Sequence, residues 1–236
     1  MNVYSQELRL RNKDVNLYRR LRTATLFELL QEASIRHTEE LGMGRSMTLD
    51  RGLLWMVTLQ RAAIMRMPEY DERIRLETWP GETMHLLFPR YYRVLDVDGG
   101  TLVSASALWA LVDQETRRMV FPDRFGVHVE GMVTGHEIDL PNPPRRAEGG
   151  VTGCFTVPYS YLDLNGHMNN TRYFELAEDR IDAASAGRPL CEVQVEYSSE
   201  ACMGDRMSVT VEQDGDRWYV TGETEKRIFR MYMMYA

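Results

Sequence analysis

Apolar side chains recur at a helical spacing early in the chain. Leu26, Leu29, Leu30 and Ala33 stand at i, i+3, i+4 and i+7, and Leu41 extends the stripe, so residues 25–42 are predicted as an amphipathic helix. Thr25 followed by Glu28 predicts a capping box at its start, and Gly42 and Gly44 predict its stop. Beyond it the pattern becomes strand-like over residues 53–65, 73–79 closed by Pro80, 87–97 and 101–112. In the last run Val103, Ala105, Ala107, Trp109 and Leu111 share one face, and Asp98-Gly99-Gly100 before it predicts a hairpin, because these residues tolerate positive φ. One helix followed by an antiparallel sheet defines an α+β unit.

The same order then returns. Residues 139–150, with Pro141, Pro143, Pro144, Gly149 and Gly150, have the composition of a linker and divide the chain into units at 1–138 and 151–236. The second unit opens on Phe155-Thr156-Val157-Pro158, continues with a helix over 170–186 that carries Tyr173, Ala177, Ile181 and Ala184 on one stripe, and closes with strands at 191–199, 207–213, 218–225 and 228–235. Phe27-Glu28-Leu29 matches Phe174-Glu175-Leu176 at an offset of 147, and Glu72-Arg73-Ile74 resembles Asp205-Arg206-Met207 at an offset of 133. The chain is a tandem repeat with an insertion of 14 residues between those two landmarks in the first copy. Two such copies can pair edge to edge, hiding one sheet edge from each and making a fused version of a symmetric dimer. An apolar pocket fits between them, and the 15 methionines suit a cavity for flexible apolar ligands.

Composition narrows the class. The longest uncharged stretches, 99–112 and 149–162, hold 14 residues, short of the roughly 20 that a spanning helix needs, and the first residues carry no secretory pattern. A protein of the cytoplasm without a membrane span is expected. Cys154, Cys191 and Cys202 are an odd number at no metal-ligand spacing, so neither a disulfide framework nor a metal site is expected. A net charge of −7 argues against nonspecific binding of nucleic acid. The arginine groups Arg19-Arg20-x-Arg22, Arg117-Arg118 and Arg145-Arg146 read individually as solvated surface.

Candidate chemistry gathers ahead of the second helix, where Asp163, Asn165, His167, Asn169 and Asn170 crowd together. In an extended segment Asp163, Asn165 and His167 share one face, and a helix starting near Asn170 aims free N–H groups at the same point, as stabilisation of an oxyanion requires. The first copy has Asn16, Tyr18 and Arg20 at these positions, so only the second half can run this chemistry. His37, His85, His128 and His136 lack partner patterns and read as structural.

Asp-x-Asn-x-His-x-Asn-Asn-x-x-Tyr, followed by Glu196-Tyr197-x-x-Glu200, resembles the acyl-acyl-carrier-protein thioesterases of plants and bacteria, which are tandem hotdog proteins. The first half continues the resemblance in Leu29-Leu30-Gln31-Glu32-Ala33, His37, Leu41-Gly42, Thr78-Trp79-Pro80 and Trp109-x-x-Val112-Asp113-x-x-Thr116-Arg117-Arg118. It implies a double hotdog in which residues 1–138 shape the substrate pocket and 151–236 carry catalysis. It also implies that Asp163, Asn165, His167 and Glu200 form the catalytic group. Where the plant enzymes show Glu-Cys this chain has Glu200-Ala201, with Cys202 one place on. A one-residue slip turns a side chain to the other face, so Cys202 is not expected to be a nucleophile.

The expected reaction is hydrolysis of fatty acyl-carrier-protein thioesters, terminating fatty acid synthesis, with no metal or cofactor. Glu200, helped by His167, deprotonates water; Asn165 and backbone N–H groups near Asn169 and Asn170 hold the carbonyl oxygen; Asp163 orients the loop; His167 returns a proton to sulfur. Strict alternation from Val193, Val195 and Tyr197 places Glu200 on the opposite face, so this assignment needs either that face to be the cleft or a bulge near Ser198-Ser199. The partner is an acyl carrier protein with a phosphopantetheine-linked chain, docking on Arg19, Arg20 and Arg22, and the chain is a monomer or homodimer. Other readings are an acyl-CoA thioesterase on the same fold, a hotdog dehydratase, whose usual acid–base pair is not evident, and a noncatalytic acyl-binding sensor.

Overall fold

The computed structural model describes residues 3–236. Its elements in chain order are β1 (Tyr4–Arg9), α1 (Thr23–Glu40), β2 (Leu53–Ile64), β3 (Arg73–Pro80), β4 (Leu87–Leu95), β5 (Thr101–Asp113), β6 (Val151–Thr156), α2 (Arg172–Glu178), α3 (Asp182–Ser185), β7 (Leu190–Tyr197), β8 (Arg206–Asp214), β9 (Arg217–Glu223) and β10 (Arg227–Tyr235). The strands form one sheet in the order β1-β3-β4-β5-β2-β7-β10-β9-β8-β6, and every pairing is antiparallel. Read outward from the centre, each half repeats the same sequence of strands. The halves meet where β2 pairs with β7, and the pair Arg61 and Gln194 lies at the middle of that seam. These two residues stand at the 133 offset, so a pseudo-twofold axis passes between them. The edge pairing that the repeat predicts is therefore formed.

Stacked on the same axis are Phe27 of α1 and Phe174 of α2, related by the 147 offset, with ring centroids 4.3 Å apart. They join Leu26, Leu30, Tyr173 and Leu176 with Val193, Val195, Val220 and Met231 in one core that spans both halves. The repeat extends to polar contacts. Thr23 Oγ1 donates to Glu178 Oε1 (2.6 Å), and Asn170 Nδ2 donates to Gln31 Oε1 (3.0 Å). Thr23 corresponds to Asn170 and Gln31 to Glu178, so each half reaches into the other through equivalent positions.

Several elements differ from the sequence pattern. The first helix starts two residues earlier, at Thr23, and the expected capping box does not form. Glu28 instead accepts from Thr171 Oγ1 of the other half at 3.3 Å, so an interhalf contact takes the carboxylate that a local cap would use. Gly42 does end the turn, at φ 73°. The second helix is broken: α2 and α3 are separated at Ile181, which is extended (φ −106°, ψ 112°) yet buried. The apolar stripe marks which residues face the core and does not require continuous helical hydrogen bonding between them. Strands β1 and β6 have no strong apolar alternation, being edge strands that each pair with only one neighbour; β1 exposes one face and β6 nearly all of its residues.

Residues 139–150 are not a free tether. Asp139 accepts from Ser106 of β5 and pairs with Arg61 of β2, Asn142 N–H donates to Gln194 of β7, and Ala147 N–H donates to Thr221 of β9. Arg145 lies over the Tyr219 ring at 3.6 Å and grips Glu212 with two hydrogen bonds, while Arg146 pairs with Glu223. The prolines keep this segment extended as it crosses the sheet towards β6, and its two arginines fasten it rather than being merely solvated.

Candidate active site

The second-half loop is a tight turn and not an extended segment. Asp163 N–H donates to His167 O (2.9 Å), Gly166 N–H to Asp163 O (3.1 Å), and Asn165 N–H to Asp163 Oδ1 (2.8 Å). Gly166 sits at φ 79°, where a side chain is disfavoured. Asp163, Asn165 and His167 thus converge because the chain reverses between them. All three line one cavity of about 430 Å³ together with Glu200.

Glu200 arrives from the end of β7. The N–H groups of Ser198 and Ser199 both point at Ile228 O (2.8 and 3.3 Å), so two residues oppose one and the strand bulges. That irregularity resets the alternation and turns Glu200 into the cavity. Immediately after it, Met168 N–H donates to Ala201 O and His167 bridges to Cys202, locking the two segments side by side. His167 Nε2 then stands 3.2 Å from Glu200 Oε2.

The cavity lies at the seam. Its first-half wall is apolar, from Leu54, Trp55, Met56 and Val57 of β2 and Trp109 and Val112 of β5, and Gln31 of α1 closes it against Asn170. Tyr197 OH, buried and held well above the usual phenol range by desolvation, bonds Gln60 Oε1 and Asn170 O. Tyr173 below the loop is raised for the same first reason, with Glu200 and Asp163 adding to it. Both phenols therefore stay protonated in the cavity wall.

Asn169, expected near the oxyanion, does not line the cavity. Its N–H is committed to Tyr161 O, and its side chain accepts from Thr171 N–H and Oγ1 at the start of α2. Asn170 lines the cavity, but its side-chain amide is held by Gln31. Cys202 is exposed, is absent from the cavity wall, and donates its N–H to Asp205 in a turn. Among the described residues no cluster of three or more His, Cys, Asp or Glu is placed to hold a metal ion, and no helix is long and apolar enough to cross a membrane.

The arginines expected to dock a carrier do not border the cavity. Arg20 donates to Gly187 O and Arg22 to Val15 O, so both guanidinium groups are tied to backbone, and Arg19 is exposed on the first-half loop. Cations that do line the cavity are Arg117 and Lys226. Arg117 belongs to an arginine pair that reads as solvated surface in the sequence, and Lys226 carries no pattern; the turn after β5 and the β9–β10 turn bring them to the cavity. Of the remaining histidines, His37 is buried against Arg90 and His136 bonds Arg93, as structural residues would.

A repeated helix-on-sheet fold with an acid–imidazole pair at the seam defines a double hotdog with one equipped pocket. Residues 1–122 match the family described as the acyl-ACP thioesterase N-terminal domain and residues 146–233 its C-terminal domain, and the chain belongs to the acyl-ACP thioesterase family. A chloroplastic acyl-[acyl-carrier-protein] hydrolase from Cuphea viscosissima is 26% identical over 234 residues, covering 91% of this chain and 57% of the relative. The chain spans a little over half the length of such curated relatives. Among solved structures, an acyl-ACP thioesterase from Bacteroides thetaiotaomicron superposes with a TM-score of 0.82 at 20% identity, over 99% of this chain and 98% of that one. The 12:0-ACP thioesterase from Umbellularia californica gives 0.82 at 18% identity, over 99% and 97%.

Proposed function

We propose that this chain hydrolyses fatty acyl thioesters carried on acyl carrier protein, releasing free fatty acid and the carrier thiol. The observation that carries the proposal is the His167–Glu200 contact of 3.2 Å, set in the wall of a cavity whose opposite side is apolar. Family membership supplies the substrate class, because the matched relatives are named for acyl-carrier-protein substrates. In the proposed arrangement residues 1–138 supply the apolar wall and residues 151–236 the reacting groups.

Glu200, with His167 beside it, takes a proton from water as the oxygen attacks the thioester carbon. The Asn165 amide, on a turn braced by Asp163, faces the carbonyl oxygen as negative charge develops there, with the backbone near Asn170 as the second donor. The proton passes from Glu200 to His167 across their 3.2 Å contact, and as the C–S bond breaks His167 gives it to sulfur. The cavity volume, about 430 Å³, falls within the range of small-molecule sites. An acyl-CoA thioesterase is the second reading, because Arg117 and Lys226 at the cavity suit the phosphate of either carrier. Turnover of carrier-protein and CoA thioesters of the same chain length, measured with wild type and His167→Ala, tests the proposal. Faster hydrolysis of the carrier-protein substrate, abolished in the variant, is expected; a preference for CoA would select the second reading, and binding without turnover would make the chain a sensor.

A further inference from the structure

Glu200 presents a problem of aim. It follows a bulge, its side chain is one-third exposed, and the last torsion of a glutamate is soft, so packing alone does not fix where its two oxygens point. One oxygen meets His167. The other, Oε1, faces Arg117 Nη1 at 3.5 Å. The carboxylate is thus bridged, with a different cation-capable group on each oxygen.

Arg117 reaches this position by an unusual route. It belongs to the first half, on the turn that follows β5, and its backbone is left-handed at φ 56°, a conformation that residues other than glycine seldom adopt. The turn is heavily braced. Asp113 Oδ1 accepts from Thr116 N–H (2.7 Å) and Oγ1 (2.8 Å), Arg117 N–H donates to Asp113 O (2.9 Å), and Asp113 N–H donates to Arg118 O (2.9 Å). Bonds from the Thr116 backbone and hydroxyl hold the Asp113 carboxyl below its usual range, keeping it ionised as the anchor. A braced, disfavoured backbone that presents one guanidinium to the cavity is a functional geometry more than a stabilising one, since a partly exposed ion pair contributes little to stability.

We propose that Arg117 is a positioning residue for hydrolysis: it holds Oε1 of Glu200 so that Oε2 faces His167 and the attacking water. The proposal rests on the hydrolase reading above. It also makes the single equipped site a product of both halves, because the half without catalytic groups aims the base of the other.

The test uses Arg117→Gly, which suits the left-handed backbone while deleting the guanidinium, and Arg117→Lys, each in the wild-type and Glu200→Gln backgrounds, with an acyl-carrier-protein substrate. Loss of aim is expected to lower kcat by about 10- to 100-fold with KM nearly unchanged. Added guanidinium ion should restore part of the Arg117→Gly activity, Arg117→Lys should be intermediate, and Arg117→Gly should cost nothing further when Glu200 is already Gln. A rise in KM at constant kcat, or losses that multiply in the double variant, would overturn the proposal in favour of a direct contact with the carrier. An active wild type with unchanged kcat in Arg117→Gly would overturn it alone, whereas an inactive wild type would remove the hydrolase reading and this proposal together.

Discussion

The loops at 16–20 and 163–167 are the same piece of backbone built twice. Asn16 N–H donates to Arg20 O as Asp163 N–H does to His167 O, and Tyr18 N–H donates to Asn16 Oδ1 as Asn165 N–H does to Asp163 Oδ1. Arg19 and Gly166, at the same place in the turn, both have positive φ, 63° and 79°. Even the exposed tip residue is shared, Leu17 in one and Leu164 in the other. What differs is the space the loop faces. In the first half Tyr18 lies against Gly187 and bonds Ser185 O, and Arg20 bonds Gly187 O, so the equivalent site is filled. In the second half the loop faces an open cavity and a glutamate. The duplicated fold therefore repeats the loop scaffold in both halves while only one copy faces an open cavity with a glutamate beside it, and the filled copy is a ready internal control.

The largest contrast is catalytic. Replacing His167 by Ala or Glu200 by Gln should lower kcat by about 10²- to 10⁴-fold, the usual contribution of a positioned acid or base. The pseudo-equivalent Arg20→Ala should change kcat by no more than about threefold, because its guanidinium bonds a backbone carbonyl away from the cavity. Steady-state hydrolysis of one acyl-carrier-protein substrate by all three variants measures this. Comparable losses in Arg20→Ala would dissolve the distinction between the two loops.

The pair on the axis should behave symmetrically where the loops do not. Phe27 and Phe174 are buried and stacked on each other, so truncating either to Ala should cost about 3–5 kcal/mol by denaturant unfolding. Each removes the same contact, so the double variant should cost clearly less than the two losses added. Additive losses would mean that the halves do not share this core.

The repeat and the strands other than β1 and β6 were legible because they rest on apolar spacing, and a dense polar string marked the loop at 163–170, although its backbone is a tight turn and not the extended segment expected. The bulge was legible only as one way out of a conflict: under strict alternation Glu200 fell on the opposite face, so either that face was the cleft or an extra residue at Ser198-Ser199 brought it round, and the shared acceptor Ile228 O selects the second. The capping box failed because the helix begins at Thr23, which leaves Thr25 inside its first turn, and Glu28 meets Thr171, 143 residues away, which no window of sequence contains. Arg117 and Gln31 stand in motifs the sequence shows, but their place in the site was not legible for that same reason: both enter it from the other half, once β2 and β7 are paired.

Gln31 and Glu178 offer a charge comparison at equivalent positions. Burial pushes the Glu178 carboxyl up to about 7, with Asp179 and Glu175 adding to the rise against the opposing Thr23 hydrogen bond. A carboxyl that is harder to ionise when folded supports the fold below its unfolded value of 4.5, and that support is lost as pH rises towards 7. Stability should therefore fall by up to about 3 kcal/mol across this window from this group. Glu178→Gln, which copies the first half's choice, should flatten that part of the profile and be the more stable chain at pH 8. Urea unfolding of both chains at pH 5, 6, 7 and 8 checks it, and parallel profiles would show that Glu178 ionises as freely folded as unfolded.

The smallest effect tests the turn itself. Gly166 has nothing within 4 Å of where a Cβ would sit, so Gly166→Ala meets no neighbour and its cost is the backbone's alone, about 1 kcal/mol. At the equivalent position Arg19 already bears that cost, and Arg19→Gly relieves it while loosening the unfolded chain. The two terms oppose, so Arg19→Gly should be neutral or stabilising by less than about 1 kcal/mol. A loss in Gly166→Ala with no loss in Arg19→Gly, read as shifts in the denaturation midpoint, is what a shared left-handed turn requires. Destabilisation by both would mean that the first-half loop is held by the Arg19 side chain and that its likeness to the catalytic loop stops at the hydrogen bonds.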